Sequence, residues 1–119
     1  MSVRAIRGAT QVAENSVDAI SSGTAELLSA ILKANALEIS DVISVLLTAT
    51  PDLTATFPAV GAREVGFGGT PLICAVEIDV PGALDRIIRV MLHCNWEREG
   101  SVSHIYLHGA AELRRDIAQ

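Results

Sequence analysis

The sequence predicts an α/β or α+β fold in which helices pack on a mixed five-stranded sheet. Two observations support this prediction. Five stretches rich in aliphatic and β-branched residues are bounded by Gly, Pro, Asn or Asp, as strands commonly are. Between the first two lies a long stretch with the periodicity of an amphipathic helix. A chain of 119 residues is long enough for one core, so we expect a single domain over residues 1–119.

The first half of the chain is predicted to contain two strands and a long helix. Residues 3–12 form the first strand, and Asn15 is the expected N-cap of the helix that follows. That helix covers residues 16–35, where apolar residues recur at intervals of three and four. Val42–Ala49 is β-branched and leucine-rich and is the second strand.

The second half is predicted to contain a short helix and three strands. Pro58 fits the first turn of the helix, and Gly66 ends it. Residues 67–71 form a turn. A single turn of helix is expected near Leu84, and residues 96–101 form a polar loop. The three strands are predicted at residues 72–80, 87–95 and 102–113.

Composition and charge narrow the class of ligand and partner. The formal net charge of −5 and the pI near 5.0 disfavour nucleic acid and anionic membrane surfaces, because both bind broad basic patches. No apolar run approaches the roughly 18 residues that span a bilayer. The mean hydropathy of +0.39 therefore favours a buried subunit interface.

The two cysteines and the N-terminus indicate a compartment. Cys74 and Cys94 have neither the spacing of zinc ligands nor the density of a disulfide framework. The sequence starts almost directly with a strand, and no apolar signal-peptide core precedes it. We therefore expect two reduced cysteines in a cytoplasmic protein.

Four hydrogen-bonding residues interrupt the apolar strands: Arg7, Glu77, Arg89 and Tyr106. A guanidinium cannot lose its proton, so an arginine on a core-forming strand needs an anion or another hydrogen-bonding partner. Eight of the nine basic residues are arginines, which grip carboxylates in a fixed planar geometry. The pattern predicts a site for a small carboxylated anion. A buried structural Arg–Glu pair remains an alternative, and each residue taken singly could face solvent.

The chain resembles the monofunctional chorismate mutases of the trimeric α/β-barrel class. The resemblance is collinear from about residue 3 to residue 114. The segments that carry it are residues 4–10, 47–53, 57–59, 63–64, 74–77, 80–84, 88–90, 104–107 and 113–114.

That resemblance implies a fold, a reaction and an assembly. The fold would be a pseudo-α/β-barrel homotrimer with active sites between neighbouring subunits. The reaction would be the Claisen rearrangement of chorismate to prephenate, in phenylalanine and tyrosine biosynthesis. This pericyclic step needs no cofactor and no metal, so none is expected.

The resemblance also implies roles for the polar interruptions. Arg89 would donate to the ether oxygen and to the enolpyruvyl carboxylate of chorismate. Arg7 would hold the same carboxylate, and Tyr106 would add a phenol donor. Glu77 would accept a hydrogen bond from the ring hydroxyl, with Cys74 beside it.

Further residues would complete the site. The apolar wall of the site would be formed by Phe57, Ala59 and Leu113. The mouth, near the ring carboxylate, would carry Arg63 and Arg114. Ile73 falls in the substrate-binding set where relatives can carry threonine, and Val60 falls where they can carry lysine. The resemblance places Phe57 to Cys74 on one subunit and the four polar interruptions on its neighbour.

Two other functions remain open. The chain could be a non-catalytic trimeric protein that binds a small carboxylate and keeps the arginines without transition-state complementarity. It could also be an enamine/imine deaminase on a similar trimeric barrel, which would need a group to position water. The pairing of Glu77 with Arg89 favours the mutase over both.

Overall fold

Five strands form the centre of the molecule. The computed structural model describes residues 2–114, apart from the side chain of Arg114. The strands are β1 (Ser2–Gln11), β2 (Val42–Ala49), β3 (Leu72–Val76), β4 (Ile87–Trp96) and β5 (Ile105–Leu107). They form one sheet in the order β3-β2-β4-β1-β5. β4 runs antiparallel to β1 and β2, whereas β3 is parallel to β2 and β5 to β1, so the predicted mixed sheet is confirmed.

Helical segments connect the strands. The α-helices are α1 (Val17–Ala34) and α2 (Ala59–Glu64), and short 3₁₀ segments occupy Ile39–Asp41, Phe67–Gly69 and His108–Arg114. Gly66, at φ 106°, follows α2, as the sequence predicts. No helix in the described part of the chain is long and apolar enough to cross a membrane.

The helix α1 covers one face of the sheet. Its apolar side chains and those of the central strands bury each other, which removes their surface from water. Gly8 in β1 marks a close approach, because a Cβ there would lie 2.9 Å from Ile31 Cδ1 and 3.2 Å from Leu27 Cδ1. Because Gly8 has no side chain, α1 can pack closely against β1 at this point. The core residues on this side include Ile6, Leu28, Leu47, Val90 and Leu92.

The start of α1 differs from the prediction by one residue. Ser16, not Asn15, is the N-cap, and its Oγ accepts a hydrogen bond from the Ala19 N–H at 3.1 Å. The Asn15 side chain is used elsewhere: its Oδ1 accepts from the N–H groups of Thr54 and Ala55 at 2.9 and 3.0 Å. It therefore ties the entry to α1 to the loop that follows β2.

Two strands of the second half are shorter than predicted, and one is longer. β3 ends at Val76 rather than at residue 80, and β5 ends at Leu107 rather than at residue 113. β4 instead continues to Trp96, which was expected to lie in a loop. The helical turn predicted near Leu84 is wrong, because residues 81–86 form turns and bends.

Candidate active site

The sheet face opposite α1 has no α-helix packed against it in the described part of the chain, and the 3₁₀ segment after β5 covers one end of it; we call it the open face. Its position follows from strand pairing, since paired residues project to the same side. Arg7 pairs with Met91, Leu46 also pairs with Met91, and Thr48 pairs with Arg89. Arg89 and Met91 therefore lie on the same side of β4 as Arg7 and Thr48 on their strands.

A concavity of about 200 Å³ opens on this face. It brings together all four polar interruptions that the sequence singles out. Its lining residues are Arg7, Gly8, Leu46, Thr48, Glu77, Arg89, Val90, Met91 and Tyr106.

Glu77 lies one residue beyond the end of β3. Its backbone N–H donates to the Ala49 carbonyl at 2.9 Å, which extends the pairing with β2 by one hydrogen bond. Its Oε2 lies 3.4 Å from Arg89 Nε and accepts a hydrogen bond from Thr48 Oγ1. The Arg–Glu pair is thus present, but the two side chains are partly exposed to the concavity rather than sealed in a core.

Arg7 and Tyr106 enter the concavity from β1 and β5. The backbone N–H of Arg7 donates to His104 Nδ1 at 2.9 Å, which fixes the strand next to the start of β5. Tyr106 pairs with Ala9 and is 8% exposed. A small apolar cluster that includes Ile87 holds its ring. The phenol is therefore a rigid part of the wall.

The charges of the concavity have the opposite sign to the net charge of the chain. Two guanidinium groups and one carboxylate face the same space, whereas the whole chain carries a formal charge of −5. Leu46 and Met91 supply apolar surface between them. A locally positive, partly apolar concavity can bind a small organic anion and attract it from solution.

The other predicted site residues lie apart from this concavity. Phe57 and Cys74 line a second cleft of about 480 Å³, which shares no lining residue with the first. Phe57 is 70% exposed. Arg63 is exposed in the last turn of α2, whereas Ala59 is only 4% exposed and presents little surface to a ligand.

The last three predicted residues lie at different edges. Ile73 is 64% exposed on β3, which is an edge strand of the described sheet. Leu113 is partly buried against the cluster that holds Tyr106, close to the concavity. The side chain of Arg114 lies outside the described atoms.

Thr48 is the polar residue of the concavity that sequence reasoning missed. The sequence does place Thr48 as a polar residue in the second predicted strand, between Leu47 and Ala49. A threonine is common in strands, so it does not break the pattern as a charged residue does. Only the pairing of β2 with β4 sets it beside Arg89.

The described residues include no group of three or more His, Cys, Asp or Glu that could hold a metal ion. Cys94 lies away from the concavity, and burial, followed by the nearby Asp41 carboxylate, raises the pKa of its thiol. That thiol stays protonated at neutral pH and packs as a small apolar side chain.

Comparison with known proteins identifies the family. Residues 3–117 match the family model of type I chorismate mutase. Chorismate mutase AroH from Thermus thermophilus is 43% identical over 97% of this chain and 96% of its own, and that from Bacillus subtilis is 39% identical over 99% and 94%. A solved chorismate mutase from Clostridium thermocellum has a TM-score of 0.88 and 46% identity, over 92% of this chain and 98% of its own. The chain belongs to the type I chorismate mutase family.

Proposed function

We propose that this chorismate mutase converts chorismate to prephenate, a step towards phenylalanine and tyrosine, on the open face of its sheet. The observation that carries the proposal is the grouping of Arg7, Glu77, Arg89 and Tyr106 in one concavity. Family membership supplies the reaction, and this constellation supplies groups that suit its substrate. The enzyme is an isomerase.

The chemistry asks little of the protein beyond shape and charge. One ether C–O bond breaks while one C–C bond forms, so no base, nucleophile or metal is required. Catalysis then consists of holding the folded conformer of chorismate and stabilising the polarised transition state. Negative charge develops on the ether oxygen as its bond breaks, and a preorganised cation beside it lowers the barrier.

Arg89 is the proposed source of that cation. It projects from a central strand whose neighbours Ile88 and Val90 are buried, so its backbone is held firmly. Its guanidinium can reach the ether oxygen and the enolpyruvyl carboxylate together, which a single ammonium cannot do. Arg7 binds the same carboxylate, and Tyr106 adds a donor. Glu77 accepts from the ring hydroxyl.

The second half of the site is proposed to come from a neighbouring subunit of a homotrimer. Phe57 and Cys74 line a cleft separate from the four polar residues of the same chain. The open face and the β3 edge also expose large apolar side chains, which favours burial against another copy. Between two copies, the Phe57 cleft of one faces the Arg89 concavity of the other and encloses the ligand. The exposed apolar residues are Leu46 on the open face, Ile73, Val76 and Ile78 on or just after β3, and Phe57 in the loop after β2.

A cytoplasmic location is part of the proposal. Cys74 and Cys94 are both free thiols, which suits a reducing compartment.

The experiment is to mix the purified protein with chorismate and follow the loss of its ultraviolet absorbance. We expect enzymatic turnover that is unchanged by EDTA and nearly independent of pH between about 6 and 8, because no proton moves in the chemical step. A steep bell-shaped profile, or loss of activity with EDTA, would contradict the mechanism. Binding of chorismate without turnover would instead indicate a carboxylate-binding protein.

A further inference from the structure

We infer that Thr48 is a positioning residue, which acts on the reaction by orienting the carboxylate of Glu77. The inference rests on the proposed function, because it assigns Thr48 a part in the same active site. Two observations support it: the register of three strands, and the sharing of one carboxylate oxygen between Thr48 and Arg89.

The register puts Thr48 between the two charged residues. β2 lies between β3 and β4 in the sheet, and Thr48 pairs with Arg89 on one side and with Ala75 on the other. Glu77 follows Ala75 by two residues on the same edge. The backbone register therefore places Thr48 between Arg89 and the strand that leads to Glu77, on the face that both charged side chains share.

The hydrogen bonds show what the hydroxyl does there. Thr48 Oγ1 donates to Glu77 Oε2, the same oxygen that lies 3.4 Å from Arg89 Nε. Among the described residues, none donates to the other oxygen, Oε1. With Oε2 held by the Thr48 hydroxyl and by the ion pair with Arg89, Oε1 remains available to accept from the ring hydroxyl of the substrate.

The position of Glu77 in the fold explains why a hydrogen bond from Thr48 would help to orient its carboxylate. β3 has already ended, and one backbone hydrogen bond to Ala49 is its last link to the sheet. A carboxylate next to an arginine tends to form a bidentate salt bridge with the guanidinium. In such a pair Glu77 would use both oxygens on Arg89 and occupy N–H groups that the substrate requires. The hydroxyl of Thr48 holds Oε2 on the β2 side and so favours the contact through one oxygen that Glu77 makes with Arg89.

The test compares substitutions that differ by the hydroxyl alone. Thr48→Ser keeps it and Thr48→Ala removes it, and Thr48→Val removes it at the size of threonine. We expect Thr48→Ala and Thr48→Val to lower kcat/KM by about 10- to 100-fold, as for loss of a hydrogen bond to a charged group. Thr48→Ser should stay within about threefold of the wild type. If Thr48→Ala fails to fold, Thr48→Val against wild type still isolates the hydroxyl, and if Thr48→Val fails, Thr48→Ala against Thr48→Ser does so.

A second measurement separates positioning from a general structural effect. In a Glu77→Ala background, Thr48→Ala should have little further effect on kcat/KM, because the carboxylate through which Thr48 acts is gone. An equal loss in both backgrounds would overturn the inference. So would wild-type turnover in Thr48→Ala. Failure of the wild-type protein to convert chorismate would overturn the proposed function itself, and with it the role of Thr48.

Discussion

Arg89 is a permanent cation in the middle of an apolar strand. Such a charge is unfavourable in a core, so its position in the sequence indicates a partner or a ligand. Its neighbours Ile88 and Val90 lie in the core, whereas Arg89 projects to the open face. There it meets Glu77 and remains partly accessible. The strand thus contributes to the core with one side and to the proposed site with the other.

The mechanism predicts a specific kinetic defect when Arg89 is replaced. Loss of one preorganised donor lowers kcat by roughly 10²–10³. For a charged donor, Arg89→Ala should lower kcat by more than about 10³, with a smaller change in KM. Arg89→Lys should also be strongly impaired, because one ammonium cannot reach ether and carboxylate together. Steady-state assays with chorismate give both constants.

Two controls sharpen this comparison. Arg98→Ala removes an arginine that stacks on Trp96 at 4.1 Å, away from the concavity, and should leave kcat unchanged. Replacing Arg89 with citrulline keeps the shape of arginine without its charge, and this variant should fold and bind yet turn over slowly. Near-normal kcat in a folded Arg89→Ala variant would make Arg89 a structural residue.

Among the secondary-structure elements, the sequence predicted the central residues of each strand better than the residues at which the strand ends. β2 has the predicted bounds, because its apolar run and its closing Pro51-Asp52 agree. β5 is shorter because His108 adopts a left-handed φ of 54°, which ends the strand and begins a 3₁₀ segment. β3 is shorter because β2, its neighbour, ends at Ala49. Neither limit is contained in the hydrophobic pattern, because one is a backbone conformation and the other is the length of a neighbouring strand.

The contact between α1 and α2 depends on Gly61. A Cβ at this position would lie 2.2 Å from the Ser21 carbonyl oxygen and 2.9 Å from Thr24 Cβ. Because a helix carbonyl cannot move aside without disturbing α1, Gly61→Ala should destabilise the fold by about 1–3 kcal/mol. Denaturant unfolding measures the change. Gly68→Ala is the matched control, since nothing lies within 4 Å of its Cβ position, and equal stability of the two variants would contradict this packing.

Asp52 links the end of β2 to the start of β4. Its Oδ2 accepts from the Arg86 N–H at 2.9 Å. Burial alone would raise the pKa of this carboxyl, but hydrogen bonds from Thr50 and from backbone N–H groups, with the charge of Arg86, outweigh burial and lower the pKa. A carboxyl with a lowered pKa stabilises the fold above its unfolded-state pKa, and this contribution is lost as pH falls through the folded-state pKa.

Asp52→Ala should therefore reduce the free energy of unfolding at pH 7 by up to about 1 kcal/mol, a small effect because the carboxylate is largely exposed. The difference from wild type should shrink as pH falls below the unfolded-state pKa of about 4 and then through the lower folded-state pKa. Urea unfolding at several pH values measures this difference. Glu99→Ala, in an exposed loop, is the control, and a deficit that persists undiminished in acid would rule out an ionic origin.

In the whole molecule, the two faces of the sheet are covered to different extents. α1 covers the first face, whereas the open face and the β3 edge expose apolar side chains beside the proposed catalytic groups. The sequence indicated a subunit interface through its hydropathy and the four polar residues through their position in strands. The resemblance also assigned Phe57 to Cys74 and the four polar residues to different subunits, and within one chain Phe57 and Cys74 do line a separate cleft. Strand periodicity alone could not show this separation, because it depends on how the strands pair.

We propose that chorismate is converted in a site shared by two copies of this chain. Arg7→Ala damages the concavity, and Phe57→Asp damages the separate cleft, so each variant alone should be inactive and trimeric by light scattering. In a mixed trimer, the intact concavity of a Phe57→Asp chain can still face the intact cleft of an Arg7→Ala chain. Random exchange of equal amounts should then restore about a quarter of the wild-type rate of chorismate loss, as expected for a cyclic assembly with heterologous interfaces. No recovery after proven subunit exchange would contradict the shared site.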